Sequence, residues 1–118
     1  MEKFMLIFHS PNSQALAYQQ PSPEEMQADI QKWNQWIGGI AAQGRLIGSE
    51  ALMPFGKVMT NGGQVVTDGP FTEGKEIIGG YSLVTAASID EAVELGQGCP
   101  MFDTEGGSVE VRPVVNFG

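Results

Sequence analysis

The hydrophobic pattern at the start of the chain predicts a β-strand that is covered on both sides. Within residues 3–9, positions 4–8 are all apolar, so both faces of an extended chain would be apolar. One face holds Phe4, Leu6 and Phe8, and the other holds Met5 and Ile7. Because successive side chains of a strand point to opposite sides of its sheet, this run is typical of a central strand. The Ser-, Asn-, Gln- and Pro-rich residues 10–21 that follow predict a loop.

A helical period begins after this loop. Ser22-Pro23-Glu24-Glu25 combines a capping hydroxyl, a proline suited to the first turn, and acidic residues that complement the helix dipole. Apolar residues then recur every three or four positions, at Met26, Ile30, Trp33, Ile37 and Ile40. This spacing predicts one amphipathic helix over 23–43, ended by Gly44.

The remaining segments complete a pattern of strands and helices. We predict a strand at 46–52, a hairpin of 57–60 and 64–67 around Asn61-Gly62-Gly63, a central strand at 77–85, a helix opened by Ser88 or Asp90, and a last strand at 108–115. This order predicts an α+β fold of the ferredoxin-like split βαβ type. Its four-stranded antiparallel sheet would carry both helices on one face, with the β-hairpin as an insertion.

Two helices cover only one face of such a sheet. In the last strand, Val109 and Val111 alternate with Glu110 and Arg112, so we expect the valines to face the helices. The opposite face would then combine apolar residues of the first strand with two charged groups. An exposed apolar surface usually marks a partner or ligand site, so we predict a homodimer that packs sheet against sheet. The alternative is that residues 10–21 or 53–76 cover this face within one chain.

Composition narrows the function without naming it. The 118 residues fit one domain, 1–118. Six Lys and Arg against 14 Asp and Glu give a net charge of −8, which disfavours nucleic acid. The longest apolar run, Phe4–Phe8, is far too short to cross a membrane. A single Cys99 and a single histidine give no support for a metal site or a disulfide, and no motif indicates a cofactor. We therefore expect a cytoplasmic protein.

A longer motif gives a resemblance to a known family. The motif comprises Asp68-Gly69-Pro70-Phe71, Glu73, Lys75-Glu76 and Gly79-Gly80-Tyr81. Together with Ser22-Pro23-Glu24-Glu25, Cys99-Pro100 and residues 109–113, it resembles the DGPF group within the YCII-related family over essentially the whole chain. The resemblance implies a fold of the dimeric α/β-barrel group, usually a homodimer, and implies little about chemistry.

The resemblance also directs attention to one histidine and one aspartate. YCII relatives have been suggested to carry a His–Asp pair, with the histidine on the first helix. Here the predicted helix 23–43 has no histidine, so the imidazole would have to come from His9, while Asp68 stands at the motif. We predict His9 and Asp68 as catalytic residues if they lie within hydrogen-bond reach. The alternatives are a solvated His9 and an Asp68 that stabilises its own turn.

Four further residues are candidates for ligand binding: Tyr81, Lys75, Glu110 and Arg112. Tyr81 follows two glycines that leave room for a hollow, and an arginine can hold a carboxylate with two hydrogen bonds. Lys75 and its neighbour Glu76 are equally consistent with a solvated charge pair. We expect an uncharacterised family member with a small-molecule pocket between helices, sheet and motif. The alternatives are a cofactor-free enzyme that uses His9 or Asp68 for proton transfer, and a regulatory protein-interaction module.

Overall fold

A four-stranded antiparallel sheet organises the protein. The computed structural model describes residues 1–11, 22–69 and 76–117. The elements in chain order are β1 (Glu2–Pro11), α1 (Pro23–Ala42), β2 (Leu46–Ala51), β3 (Gly56–Thr60), β4 (Val65–Gly69), β5 (Glu76–Ala86), α2 (Ile89–Gly96), a short 3-10 helix (Pro100–Asp103) and β6 (Ser108–Pro113). The predicted α+β class is confirmed, as are the four-stranded antiparallel sheet and the two helices. The predicted loop at 10–21 lies mainly outside the described residues.

The strands of the main sheet lie in the order β2-β5-β1-β6, and each neighbouring pair is antiparallel. β1 is therefore a central strand, as its two apolar faces predict. Among the described strands, β3 and β4 pair only with each other, so the predicted hairpin forms a separate two-stranded sheet. The described strands of this chain do not close into a barrel.

The core lies between one face of this sheet and the two helices. Phe4, Leu6 and Phe8 of β1 are buried there together with Ile40 of α1 and Ala92 of α2. Both helices therefore pack on the same face of the sheet. Three aromatic rings join the layers edge to face, with centroid separations of 5.0–5.7 Å between Phe8, Trp33 and Trp36. The Trp36 indole donates a hydrogen bond of 2.9 Å to the carbonyl of Leu95, which ties the two helices together.

Helix α1 begins at the predicted cap, but its apolar stripe is buried over only part of its length. The Ser22 hydroxyl accepts a hydrogen bond from the backbone N–H of Glu25 at 3.1 Å, which caps the first turn. Of the predicted apolar stripe, Met26 and Ile30 are 47% and 52% exposed, while Ile40 is buried. The apolar stripe of the predicted helix is therefore exposed in its first turns and buried at Ile40. A hydrophobic period identifies the apolar side of a helix, but it does not tell how far the neighbouring layer extends along it.

The hairpin turn follows the predicted glycine-rich sequence. Asn61, Gly62 and Gly63 have φ angles of 53°, 66° and 89°, which glycine adopts without steric cost and asparagine tolerates. Apolar side chains such as Met59 and Val66 are exposed on the hairpin.

Within the described residues, neither helix has the length and apolar composition that a membrane span requires.

Because the thiol of Cys99 is buried, the free energy of unfolding should fall at alkaline pH. Its side chain is 3% exposed, and burial raises the pKa from 9.0 to about 11. As the pH rises, the thiol ionises in the unfolded chain before it ionises in the folded protein. The contribution of the buried thiol to stability is therefore complete below the pKa of the unfolded chain, and it is lost as the pH rises through the pKa of the folded protein. We expect urea unfolding to show wild type losing more stability than Cys99→Ala between pH 9 and about 11. Parallel losses in both proteins would contradict the assignment.

Candidate functional site

The face of the main sheet that neither described helix covers is called here the open face. Its side chains include Met5, Ile7, His9, Glu76, Tyr81, Leu83, Glu110 and Arg112. Met5, Ile7, Tyr81 and Leu83 form an apolar centre and are half-buried. Charged groups from β5 and β6 surround this centre. As predicted, Val109 and Val111 turn towards the core.

His9 is held between two carboxylates on the open face. Its Nε2 donates to Glu110 Oε1 at 2.8 Å, and its Nδ1 lies 3.5 Å from Glu76 Oε2. A neutral imidazole has one N–H, so only the imidazolium can donate to both carboxylates. The His9 side chain is 20% exposed, which leaves it accessible to solvent or a ligand. Side chains from three strands, β1, β5 and β6, thus meet at this imidazole.

Glu110 links His9 to Arg112. Its second carboxylate oxygen, Oε2, lies 3.7 Å from Arg112 Nε. Strand pairing places Tyr81 of β5 directly across from Ile7 of β1, so both side chains lie on the open face. Three of the predicted ligand-binding residues, Tyr81, Glu110 and Arg112, therefore share a surface with His9. Their roles in ligand binding remain predictions.

The structure does not bring Asp68 to His9. Asp68 lies at the end of β4 in the separate hairpin, where its carboxylate accepts a 2.5 Å hydrogen bond from Lys57 Nζ. The Asp68 side chain is 89% exposed. Among the described residues, the ion pairs of His9 are with glutamates and none is with Asp68. Lys75 lies outside the described residues, as do positions 70–74 of the motif.

A second feature lies on the opposite side of the sheet, where α1 stands away from β2 and β5. This helix–sheet cleft has a volume of about 520 Å³. Its lining comprises Phe8, Asp29, Ile30, Trp33, Asn34, Ile37, Ser49, Glu50, Ala51, Gly79 and Met101. The cleft is therefore mostly apolar, with a few polar groups. In the described chain the apolar stripe of α1 is only partly buried, and the cleft is the space beside its exposed part.

Glycine allows β2 to approach β5 closely beside the cleft. A Cβ atom added to Gly80 would lie 2.6 Å from the carbonyl oxygen of Glu50, which is closer than nonbonded atoms can come. Gly79 itself lines the cleft. The Gly79-Gly80 pair was the sequence signal for a hollow at this point. The expected pocket lay between helices, sheet and motif, but the sequence pattern did not single out the α1 residues that form the other wall.

Polar groups in the cleft have a defined arrangement. Ser49 Oγ donates to the carbonyl of Tyr81 at 3.0 Å and lies 2.8 Å from Ser82 Oγ. The Ser82 hydroxyl therefore donates to Ser49. The side chains of Asp29 and Asn34 make no hydrogen bond or ion pair within the described parts of the chain. No group of three His, Cys, Asp or Glu suited to a metal ion occurs among the described residues.

Comparison with protein families identifies the chain. The model of the YCII-related domain matches residues 1–118. The chain belongs to the YCII-related family. This YCII-related protein is also similar to an uncharacterised protein of Rhizobium meliloti (strain 1021), with 39% identity over 56 residues. The match covers 48% of this chain and 45% of that protein, so it spans less than half the length of the relative.

The contacts of His9 predict how its imidazole responds to substitution. We expect Glu110→Gln to change the imidazole ¹⁵N chemical shifts, because the 2.8 Å hydrogen bond at Nε2 loses a charged acceptor. Asp68→Asn should leave them unchanged, because Asp68 contacts Lys57 instead. NMR of the single histidine measures both variants. Unchanged shifts in Glu110→Gln together with changed shifts in Asp68→Asn would support the originally predicted His9–Asp68 pair instead.

Proposed function

We propose that this YCII-related protein is a homodimer that binds a small molecule in the helix–sheet cleft. The single observation that carries the proposal is the cleft between α1 and strands β2 and β5. Its volume of about 520 Å³ falls in the range of roughly 300–1,000 Å³ typical of ligand pockets. Small-molecule sites characteristically combine an apolar lining with a few polar groups that fix orientation, and this cleft has both.

The lining of the cleft supports a ligand with a substantial apolar part. Ile30, Trp33 and Ile37 from α1 face Phe8 and Met101 across the space. Ile30 is half exposed, so a ligand would remove apolar surface from water. Ser49, Asp29 and Asn34 would then fix the orientation of its polar end.

The open face supports the homodimer. Its apolar centre of Met5, Ile7 and Leu83 is only half-buried in one chain, and both described helices pack on the other side. A second copy placed sheet against sheet would cover this centre on both chains at once, as twofold symmetry requires. The strand order β2-β5-β1-β6 supports the finer assignment to the ferredoxin-like type and the dimeric α/β-barrel group. The motif residues support membership of the DGPF group.

A second candidate function is proton transfer by His9. The 2.8 Å hydrogen bond from its Nε2 to Glu110 favours this candidate, because a carboxylate that orients an imidazole is a common feature of acid–base sites. In this proposal Glu110 takes the place of Asp68 as the partner of His9. A second copy packed on the open face would exclude water from this pair and strengthen its electrostatic interactions.

The dimer predicts a specific effect of a charge on the open face. We expect wild type to sediment as a dimer and Ile7→Glu to sediment as a monomer, because the new carboxylate would be buried without a partner. Val93→Glu, on the exposed side of α2, is the matched control and should remain dimeric. Analytical ultracentrifugation makes the measurement. A monomeric wild type, or a dimeric and folded Ile7→Glu, would rule out this interface.

The cleft predicts binding of an apolar probe. We expect naphthalene-2-methanol to bind wild type and to bind Ile30→Asn more weakly, because Ile30 contributes apolar lining. Val93→Asn removes a comparably exposed aliphatic side chain outside the cleft and should bind as wild type does. Isothermal titration calorimetry gives the dissociation constants. Absence of binding to wild type, or equal weakening by both substitutions, would show that the cleft is not the site.

A further inference from the structure

We infer that the helix–sheet cleft selects amphipathic cations, namely aromatic or aliphatic amines, over neutral and anionic molecules of the same shape. The inference rests on the proposed function of the cleft and adds the chemical class of its ligand. It follows from the charges, the aromatic ring and the hydrogen-bond acceptors that line the space.

Asp29 of α1 is the lining residue whose charged side chain lies on the helix side of the described sheet. The other charged residue of the lining, Glu50 of β2, borders the cleft with its backbone, and neither lysine nor arginine is among the lining residues. The nearest cation along the helix, Lys32, is three positions from Asp29 but forms an ion pair with Asp103 at 3.3 Å. Within the described residues, Asp29 thus has no cationic partner. An amine in the cleft would supply one.

Glu50 and Asp29 differ in how they contribute. Strand pairing places Glu50 directly opposite Tyr81, so its side chain belongs to the open face and its backbone borders the cleft. Asp29 is therefore the carboxylate that would pair with a bound cation.

Trp33 gives the cleft an aromatic wall. Its ring meets Phe8 at 5.0 Å and Trp36 at 5.7 Å, in each case edge to face. These contacts fix the ring from two sides while it still lines the cleft. A cation is attracted to the face of an indole ring by the ring's quadrupole, and an aromatic ligand stacks on the same surface. The wall therefore suits an amine with an apolar body.

The hydroxyl groups beside the cleft reinforce this preference. The proton of Ser49 is committed to the carbonyl of Tyr81, and the hydroxyl of Ser82 donates to Ser49. Ser49 therefore offers the cleft a lone pair and no proton. Acceptors of this kind favour a ligand that donates hydrogen bonds, as an ammonium group does. Asn34 can donate or accept and does not discriminate.

The net charge of −8 acts in the same direction at longer range. It attracts cations towards the protein and repels anions, in a manner that salt weakens. This general attraction does not by itself identify the cleft, so the experiment must separate it from a local effect of Asp29.

The test compares three probes of one shape and different charge: 2-naphthylmethylamine, naphthalene-2-methanol and 2-naphthoate. We expect the amine to bind wild type about tenfold more tightly than the alcohol, and the naphthoate to bind most weakly. Asp29→Asn should reduce the affinity for the amine by about threefold to fivefold and change that for the alcohol less than about twofold. Glu94→Gln, which removes one negative charge from α2 outside the cleft, should leave the affinities for the amine and the alcohol unchanged.

Each outcome bears on a different statement. Equal affinity for amine and alcohol would overturn the selection of cations while leaving the cleft as a binding site. Equal weakening of amine binding by Asp29→Asn and Glu94→Gln would also overturn it, because the attraction would then come from net charge alone. If none of the three probes binds, the proposed function of the cleft fails, and this inference fails with it.

Discussion

The antiparallel pairing of β1 with β5 on one side and β6 on the other is the interaction on which the rest of the molecule depends. It places an uninterrupted apolar segment at the centre of the sheet, with Phe4, Leu6 and Phe8 on one face and Met5 and Ile7 on the other. The first face forms the core with both helices. The second face has no helix over it in the described chain. The first face therefore packs within the chain, and the second is the surface that the proposed dimer would cover.

The same pairing assembles the polar residues of the open face. His9 and Glu110 are 101 positions apart in the chain, yet adjacent strands bring their side chains to 2.8 Å. Glu76 approaches the same imidazole from β5, and Arg112 approaches Glu110 from within β6. Proton transfer by this histidine is part of the proposed function, and the proposed dimer would exclude water from the histidine and its two carboxylates.

The cleft has a different origin, because it results from incomplete contact between layers. α1 is anchored through Ile40 and Trp36 near its C-terminal half, while Ile30 remains half exposed at the other end. The close approach of β2 to β5 at Gly80 adds a firm wall opposite the helix. The result is a concave apolar surface on the helix side of the sheet. The open face and the cleft are thus on opposite sides, so a dimer and a bound ligand are compatible.

Local patterns along the chain were enough to predict the elements and the direction of their faces. The alternation in 3–9 and 108–115, the cap at Ser22 and the Asn61-Gly62-Gly63 turn are local properties, set by backbone geometry and the period of the apolar residues. Which polar groups meet became evident from the folded chain. It paired His9 with Glu110 and Asp68 with Lys57, because hydrogen-bond partners depend on strand order and register, which a single sequence does not encode in its spacing. It also decided that the first turns of α1 border a cleft, because burial depends on the extent of the neighbouring layer as well as on the helix itself.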